Sequence, residues 1–284
     1  MQSKFVTAYL DNISNNSSTK AMEKNLWQWQ IWNNLPYLTC SLLEGWQHGF
    51  FTQDFYPRLP EELVTVLDPK ATVYRVKQVH GDRVLTPTEI HHVMSQGESE
   101  DVLPPADAVL SEKSQQAVWV ASADCTPVLI GDIVTGRVSA IHAGWRGTAQ
   151  RIVPKAVEHF LERGSQLENL RFVMGPAIAG EVYQVDWSVG AEVGASLFLS
   201  ETKAPAEILS TLQALPTPPI LPDPDLDKVR LDVRQINFLQ LEQLGIHSEN
   251  IAIAPECTYQ NPNRFFSYRR THEKKVQWSG IVSR

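Results

Sequence analysis

The chain has 284 residues, 43% of them hydrophobic and 20% charged, a balance that excludes wholesale disorder and embedding in a membrane. Its formal charge of −7 at pH 7, with no block of Lys and Arg, excludes a nucleic-acid binder that works by neutralising phosphates and leaves a small-molecule partner. Three cysteines, Cys40, Cys125 and Cys257, are an odd and sparse set, which suits a reducing, cytoplasmic compartment and thiolate chemistry better than a disulfide framework.

The N-terminus reaches polar Asp11 and Asn12 before an apolar core of a signal peptide can form, so none is expected. No run approaches the ~20 apolar residues of a membrane helix. Residues 11 to 25 are polar and rich in Asn and Ser, and residues 1–25 are expected to form a flexible arm. Next, Trp27, Trp29 and Ile31 alternate with polar neighbours, which predicts a half-buried strand whose aromatics pack inward.

From residue 71, ATVYRVKQVHGDRV reads as a strand running into a turn, with His80 at the strand end. Residues 91 to 106 are polar and Pro-containing and are expected to be a connecting loop with solvated His91 and His92. Between 117 and 142 three apolar runs predict buried strands of one sheet. Cys125 falls in a break between two of them and His142 at the end of another.

A helix follows, with Ile152, Val153, Ala156, Val157, Phe160 and Leu161 on its inner face, Pro154 as a kink or first-turn residue, and Gly164 as its stop. RFVMG (171–175) reads as a strand and AEVGASLFL (191–199) as a helix. The five prolines of 216–225 exclude regular structure and mark an insertion loop near 214–228. Asp232 then caps a helix that runs to Leu244 and ends at Gly245, and 251–254 is a late strand.

His80, Cys125 and His142 are far apart in sequence and match no short zinc motif. Each nevertheless lies beside small or turn-forming residues, where a ligand can come close. Taken singly, such a His or Cys is more often a core residue. HAGWRG (142–147) sets Arg146 ahead of a helix, either to hold a phosphate or carboxylate in bidentate fashion or to stack on Trp145. RFFSYRR (264–270) mixes aromatics and arginines, suited to stacking a base and contacting a charged group through Arg269, or to a strand with Phe265 or Phe266 in the core. GPAIAGEVYQV (175–185) reads as a loop at the rim of a site. Asp124 and Gln78 flank the trio and either orient it, carry protons or cap strand ends.

Taken together, KQVHGD (77–82), ADCTPVLIGD (123–132), HAGWRG, GPAIAGEVYQV and FFSYRR (265–270) resemble, in order and character, the laccase-domain family, also called YfiH-like or multicopper polyphenol oxidase. The resemblance runs roughly from residue 46 to 270. It implies an α+β fold, a single-domain four-layer αββα sandwich with mixed β-sheets over residues 26–284, similar to the cysteine-hydrolase toxin fold. It implies that His80, Cys125 and His142 are both metal ligands and catalytic centre, with zinc as the metal and copper as the other candidate. The implied activity is phosphorolysis of adenosine, inosine and S-methyl-5'-thioadenosine together with adenosine deamination. From their own settings in the sequence, Arg146, Asp124, Gln78 and Arg269 are the residues expected toward substrate and phosphate, and the chain is expected to act as a monomer.

The sequence departs from the family after HGF: the usual Ser-Thr-Arg-x-Gly-Gly turn reads HGFFTQDFYP (48–57) here, with Gln53 in place of the arginine, so no substrate contact is expected from it. The ending after Arg270 is also altered, to VQWSG. Three other readings stand beside the implied one. They are a cysteine-dependent amide hydrolase editing peptidoglycan precursors, with Cys125 as nucleophile and His142 as its base; a copper polyphenol oxidase, which needs more His ligands than the two available; and a non-catalytic binding protein.

Overall fold

The computed structural model describes residues 26–96, 102–199 and 203–284; the arm expected over 1–25 lies outside the described residues. Strands β1 (Trp27–Trp32), β2 (Leu35–Cys40), β3 (His48–Phe51), β4 (Thr72–Tyr74), β7 (Gln116–Ser122) and β15 (Gln277–Val282) form one sheet in the order β1-β2-β3-β15-β7-β4. A second sheet has the order β14-β10-β8-β9-β6-β5. Its strands are β5 (Val84–Leu85), β6 (Ala108–Leu110), β8 (Thr126–Asp132), β9 (Val138–Ala143), β10 (Leu170–Met174) and β14 (Ile251–Ile253). Both sheets are mixed; among the described residues the parallel pairs are β4–β7, β5–β6 and β10–β14.

Period-2 geometry explains the layers, since successive side chains of a strand point to opposite faces. On β7, Val118 and Val120 meet Leu129 and Ala140 of the other sheet. Its alternate residues Ala117 and Trp119 pack outward on Leu63, Val64 and Leu67 of helix α1 (Pro60–Leu67). On β8, Val128 and Ile130 face α4 (Ile152–Glu162) through Val153, Val157 and Phe160, and α7 (Val233–Gln243) through Leu241. The order is helix, sheet, sheet, helix: an α+β four-layer sandwich.

Helices α2 (Pro87–Gln96), α3 (Trp145–Ala149), α5 (Trp187–Ala195), α6 (Pro205–Gln213) and α8 (Tyr268–Thr271) complete the set. A small antiparallel sheet, β11 (Gln184–Asp186), β13 (Lys228–Leu231) and β12 (Ile220–Pro222), packs Val185, Val229 and Leu231 against Val193 and Leu212 of α5 and α6.

Several sequence expectations are corrected. The three runs of 117–142 do not share a sheet: β7 belongs to the first and β8 and β9 to the second. A strand buried on both faces reads the same in either sheet. On the edge strand β1, Trp29 is 38% and Ile31 66% exposed, so their face of the strand is not part of the core. Residues 91–96 are helical, not loop; Glu89 accepts hydrogen bonds from the Thr86 amide and hydroxyl and so caps α2. His91 and His92 are exposed on it, as expected of solvated residues.

The Pro-rich stretch contains β12, an edge strand on which the missing amide of Pro222 does no harm. The segment after His142 is two helices, broken at Arg151 in the left-handed region (φ 62); Pro154 sits in the first turn of α4, and Leu161 is 39% exposed. RFFSYRR is not a strand: Phe265 is fully buried in a loop, and the single turn α8 follows. The predicted cap at Asp232 is present, accepting from the amides of Arg234 and Gln235, and Gly245 ends that helix with φ 88.

Candidate metal centre

Three groups from different parts of the fold meet at one place, and strand alternation aims one of them. His142 on β9 lies opposite Pro127 on β8. It shares parity with Val138 and Ala140, which point into the space between the sheets. Cys125 immediately precedes β8, in the short crossing from β7 in one sheet to β8 in the other, where Asp124 takes a left-handed conformation (φ 95). His80 is not at a strand end as expected: β4 stops at Tyr74, and His80 stands in the turn beyond with φ 60. The ligand atoms of His80, Cys125 and His142 all lie within 4.8 Å of one another. The two imidazoles meet edge to face, with centroids 4.8 Å apart and planes at 81°.

Asp107, just ahead of β6 and fully buried, holds both histidine arms. Its carboxylate accepts hydrogen bonds from Nδ1 of His142 (2.9 Å) and from the amides of Val79 (3.1 Å), His80 (2.9 Å) and Gly81 (2.7 Å). Burial pushes the Asp107 carboxyl upward, but the bonds from His142 and the Gly81 and Val79 amides outweigh it and hold the group below the ordinary carboxylate range. Burial likewise opposes charge on Cys125 and His142. It is outweighed by their mutual attraction, by hydrogen bonds from both histidines to the thiol and by Asp107 beside His142, so the thiol is shifted down and the imidazole up. Each of the two groups favours the charged form of the other.

Gly144 makes the closeness possible. A Cβ there would stand 2.9 Å from Sγ of Cys125 and 3.3 Å from Cδ2 of His80. A cleft of about 400 Å³ opens beside the trio, lined by Val76, Gln78, Ala121, Tyr268, Lys274 and Trp278 among others. His80 is exposed, Cys125 half-buried and His142 buried, so the centre grades from solvent into the core.

The other expected site residues have definite places. Gln78 lines the cleft, but its amide is committed: Nε2 donates to the Ala121 carbonyl and Oε1 accepts from the Ala121 amide, both at 2.7 Å. Asp124 accepts from Thr258 Oγ1 and from the Arg269 amide, each at 2.7 Å, which ties the Cys125 crossing to the 258–269 loop. Arg269 lies 4.8 Å over the Tyr183 ring and donates to the Gln184 carbonyl. Arg146 is exposed on α3, its guanidinium 4.2 Å over the Trp145 ring. It donates no side-chain hydrogen bond among the described residues.

Tyr183, in the expected rim loop, is pushed up to about 12, first by burial and then by the negative charges of Cys125 and Asp124, with Arg269 and Arg146 pulling the other way. Both arginines thus act on the Tyr183 hydroxyl, and neither is among the residues that line the cleft. Gln53, in the altered turn, donates to the Pro262 carbonyl at 2.9 Å and braces that same loop.

Asp107 and Tyr183 were not singled out from the sequence. A lone carboxylate inside the otherwise apolar PPADAVL (104–110) is the signal that marks Asp107, since a buried charge needs partners. Nothing local says that those partners are residues 79–81 and 142.

Fold and site together define a two-sheet sandwich enzyme built around a His–Cys–His centre. The chain belongs to the family described as multi-copper polyphenol oxidoreductase laccase, whose family model matches residues 60–282. It is 57% identical over 263 residues to a purine nucleoside phosphorylase of Synechocystis sp., a match that covers 92% of this chain and 99% of that protein. It is 28% identical over 195 residues to adenosine deaminase RL5 of an unknown prokaryotic organism, covering 68% of each. The crystal structure of YlmD from Geobacillus stearothermophilus shares the fold with a TM-score of 0.73 at 21% identity, covering 90% of this chain and 98% of that one.

Proposed function

We propose that this chain is a purine nucleoside phosphorylase that also deaminates adenosine, with His80, Cys125 and His142 holding one zinc ion beside the cleft. The observation that carries the reading is the convergence of these three side chains on a cleft of about 400 Å³ in a chain 57% identical to a purine nucleoside phosphorylase. The donor set fits zinc: two imidazoles and a thiolate leave a fourth tetrahedral position for a reactant. The three ligand atoms lie within 4.8 Å of one another, close enough to hold one ion together. When bound, zinc supplies Lewis acidity for deamination. A soft thiolate also suits copper, and metal analysis distinguishes the two.

The protein's own groups do the rest. Asp107 orients His142 by accepting from its Nδ1, which leaves Nε2 facing Cys125 and the metal position. Val76, Ala121, Tyr268 and Trp278 offer the cleft an apolar and aromatic wall for the nucleoside. Arg146, whose side chain makes no hydrogen bond among the described residues, is the group assigned to phosphate. Gln78 and Asp124 shape the walls through the Ala121 clamp and the Thr258 and Arg269 bonds, and Arg269 steadies Tyr183. Residues 26–284 are read as one catalytic unit, acting as a monomer in the cytoplasm. No helix among the described residues is long and apolar enough to cross a membrane.

The test is metal analysis of the pure protein followed by assays on adenosine, inosine and S-methyl-5'-thioadenosine with and without phosphate. Release of free base with a pentose 1-phosphate only when phosphate is present, inosine from adenosine without it, and loss of both in Cys125→Ala are expected. Turnover indifferent to phosphate would overturn the phosphorylase reading.

One observation favours a second reading. Asp107, His142 and Cys125 form a line of carboxylate, imidazolium and thiolate, the arrangement of a cysteine hydrolase. There the thiolate would attack an amide carbonyl and His142 would protonate the leaving amine, giving a thioester that water then cleaves. A thioester trapped on Cys125 from an amide substrate would establish it.

A further inference from the structure

The two imidazoles of the centre come from distant parts of the chain, yet a single side chain contacts both arms. Asp107 Oδ1 accepts from the His80 amide and from Nδ1 of His142, and Oδ2 accepts from the Val79 and Gly81 amides. Its main-chain carbonyl also accepts from the His142 amide at 2.8 Å, so backbone and ring of His142 are fixed by the same residue. The three amides belong to the turn that carries His80 in the left-handed conformation, with φ 60, a state that non-glycine residues hold only when their surroundings impose it. Asp107 is fully buried, so its charge depends on these four donors.

We propose that Asp107 is the shared positioning residue of the centre: it holds His142 as the Nδ1–H tautomer with Nε2 turned to the metal position, and through the 79–81 turn it sets His80 at the same time. The proposal rests on the reading of the trio as metal ligands and adds to it a coupling between the two arms. Loss of Asp107 then loosens both imidazoles together.

The acceptor count makes this testable. A carboxylate offers two oxygens, each taking two of the four donors, whereas an amide offers one oxygen and turns an N–H toward donors on its other side. Asp107→Asn must therefore abandon one pair, either His80 with His142 or Val79 with Gly81. The expected effect is about 10–100-fold weaker zinc affinity, the usual result of removing a carboxylate behind a ligating histidine.

The experiment measures zinc affinity by chelator competition, and the visible spectrum of the cobalt-loaded protein, in wild type, D107N and Asp132→Asn. Asp132 is a comparable buried carboxylate that accepts from the Val134 and Thr135 amides at the far end of β8, so D132N reports what plain destabilisation does. Weakened zinc binding and an altered cobalt spectrum in D107N, with D132N like wild type in both, support the proposal. Wild-type affinity and spectrum in D107N overturn it while leaving the metal reading intact. Failure of wild type itself to bind zinc overturns the metal reading and the proposal with it. Should D107N not fold, ¹⁵N-histidine spectra of the zinc-loaded wild type decide: a proton on Nδ1 of His142 supports the proposal, and a bare or metal-bound Nδ1 overturns it.

Discussion

Gly144→Ala probes the tightest point of the centre. Gly144 has φ −72 and ψ 169, which alanine adopts without strain, so the backbone itself gains about 0.4–1 kcal/mol from the stiffer unfolded chain. Against this, the new methyl would stand 2.9 Å from Sγ of Cys125 and 3.3 Å from Cδ2 of His80, where unstrained contacts are about 3.5–4.0 Å. Overpacking of that kind costs about 1–3 kcal/mol. The net loss of about 1–2 kcal/mol lowers Tm by a few degrees in a chain of this size.

Activity suffers more. Relief of the clash displaces the thiol or the His80 ring by several tenths of an ångström to about 1 Å, and an error of about 1 Å in a catalytic site costs on the order of 100-fold in rate. Melting curves and phosphorolysis kcat/KM on one preparation separate the two effects. A variant with wild-type kcat/KM and an unchanged Tm would refute the claim that Gly144 is there to let Cys125 and His80 meet.

The other predictions concern single groups. Arg146→Ala should raise the KM for phosphate about 10–100-fold, the worth of a charge-assisted contact, with the nucleoside KM little changed; an unchanged phosphate KM removes Arg146 from that role. Glu242 on α7 is pushed up to about 7 by burial, and its Oε2 has no hydrogen-bond partner among the described residues. Its folded value lies above its unfolded one, so the protonated form is favoured on folding, and the penalty grows as pH rises from about 4.5 and is complete above about 7. Glu242→Gln should stabilise the protein by about 1–3 kcal/mol at pH 8 and hardly at all at pH 4.5, as read by urea melts at both. His48 is buried and neutral: Nδ1 donates to the Trp46 carbonyl and Nε2 accepts from the Cys40 amide, each at 2.9 Å, and burial lowers its pKa. Its folded value lies below its unfolded one, so its contribution is complete above about pH 6.5 and is lost as pH falls. Tm should drop more steeply between pH 7 and 5 in wild type than in His48→Gln.

Much of this protein follows from local pattern. The helical face running from Ile152 to Phe160, the cap at Asp232 with its stop at Gly245, and the apolar strands through Leu129 and Ile141 each depend on neighbours within a few residues, where periodicity and turn chemistry act. Glycine and turn residues beside His80, Cys125 and His142 mark places where chain and ligand come close, but singly each reads as a core residue, and it is the joint resemblance of the phrases to the family that makes them one centre. What pattern did not carry was partnership across distance. A strand covered on both faces reads alike in either sheet, so only the tertiary fold assigns β7 to one sheet and β8 to the other, and thereby makes Cys125 the crossing point between them. Trp29, Ile31 and Leu161 have the right spacing to be buried, but whether anything lies opposite them is decided elsewhere. Asp107 is the plainest case: its sequence shows a carboxylate in an apolar run, while its meaning lies in three amides and an imidazole that only packing delivers to it. Short-range forces choose the elements, and the satisfaction of buried charge, a long-range condition, chooses how they meet.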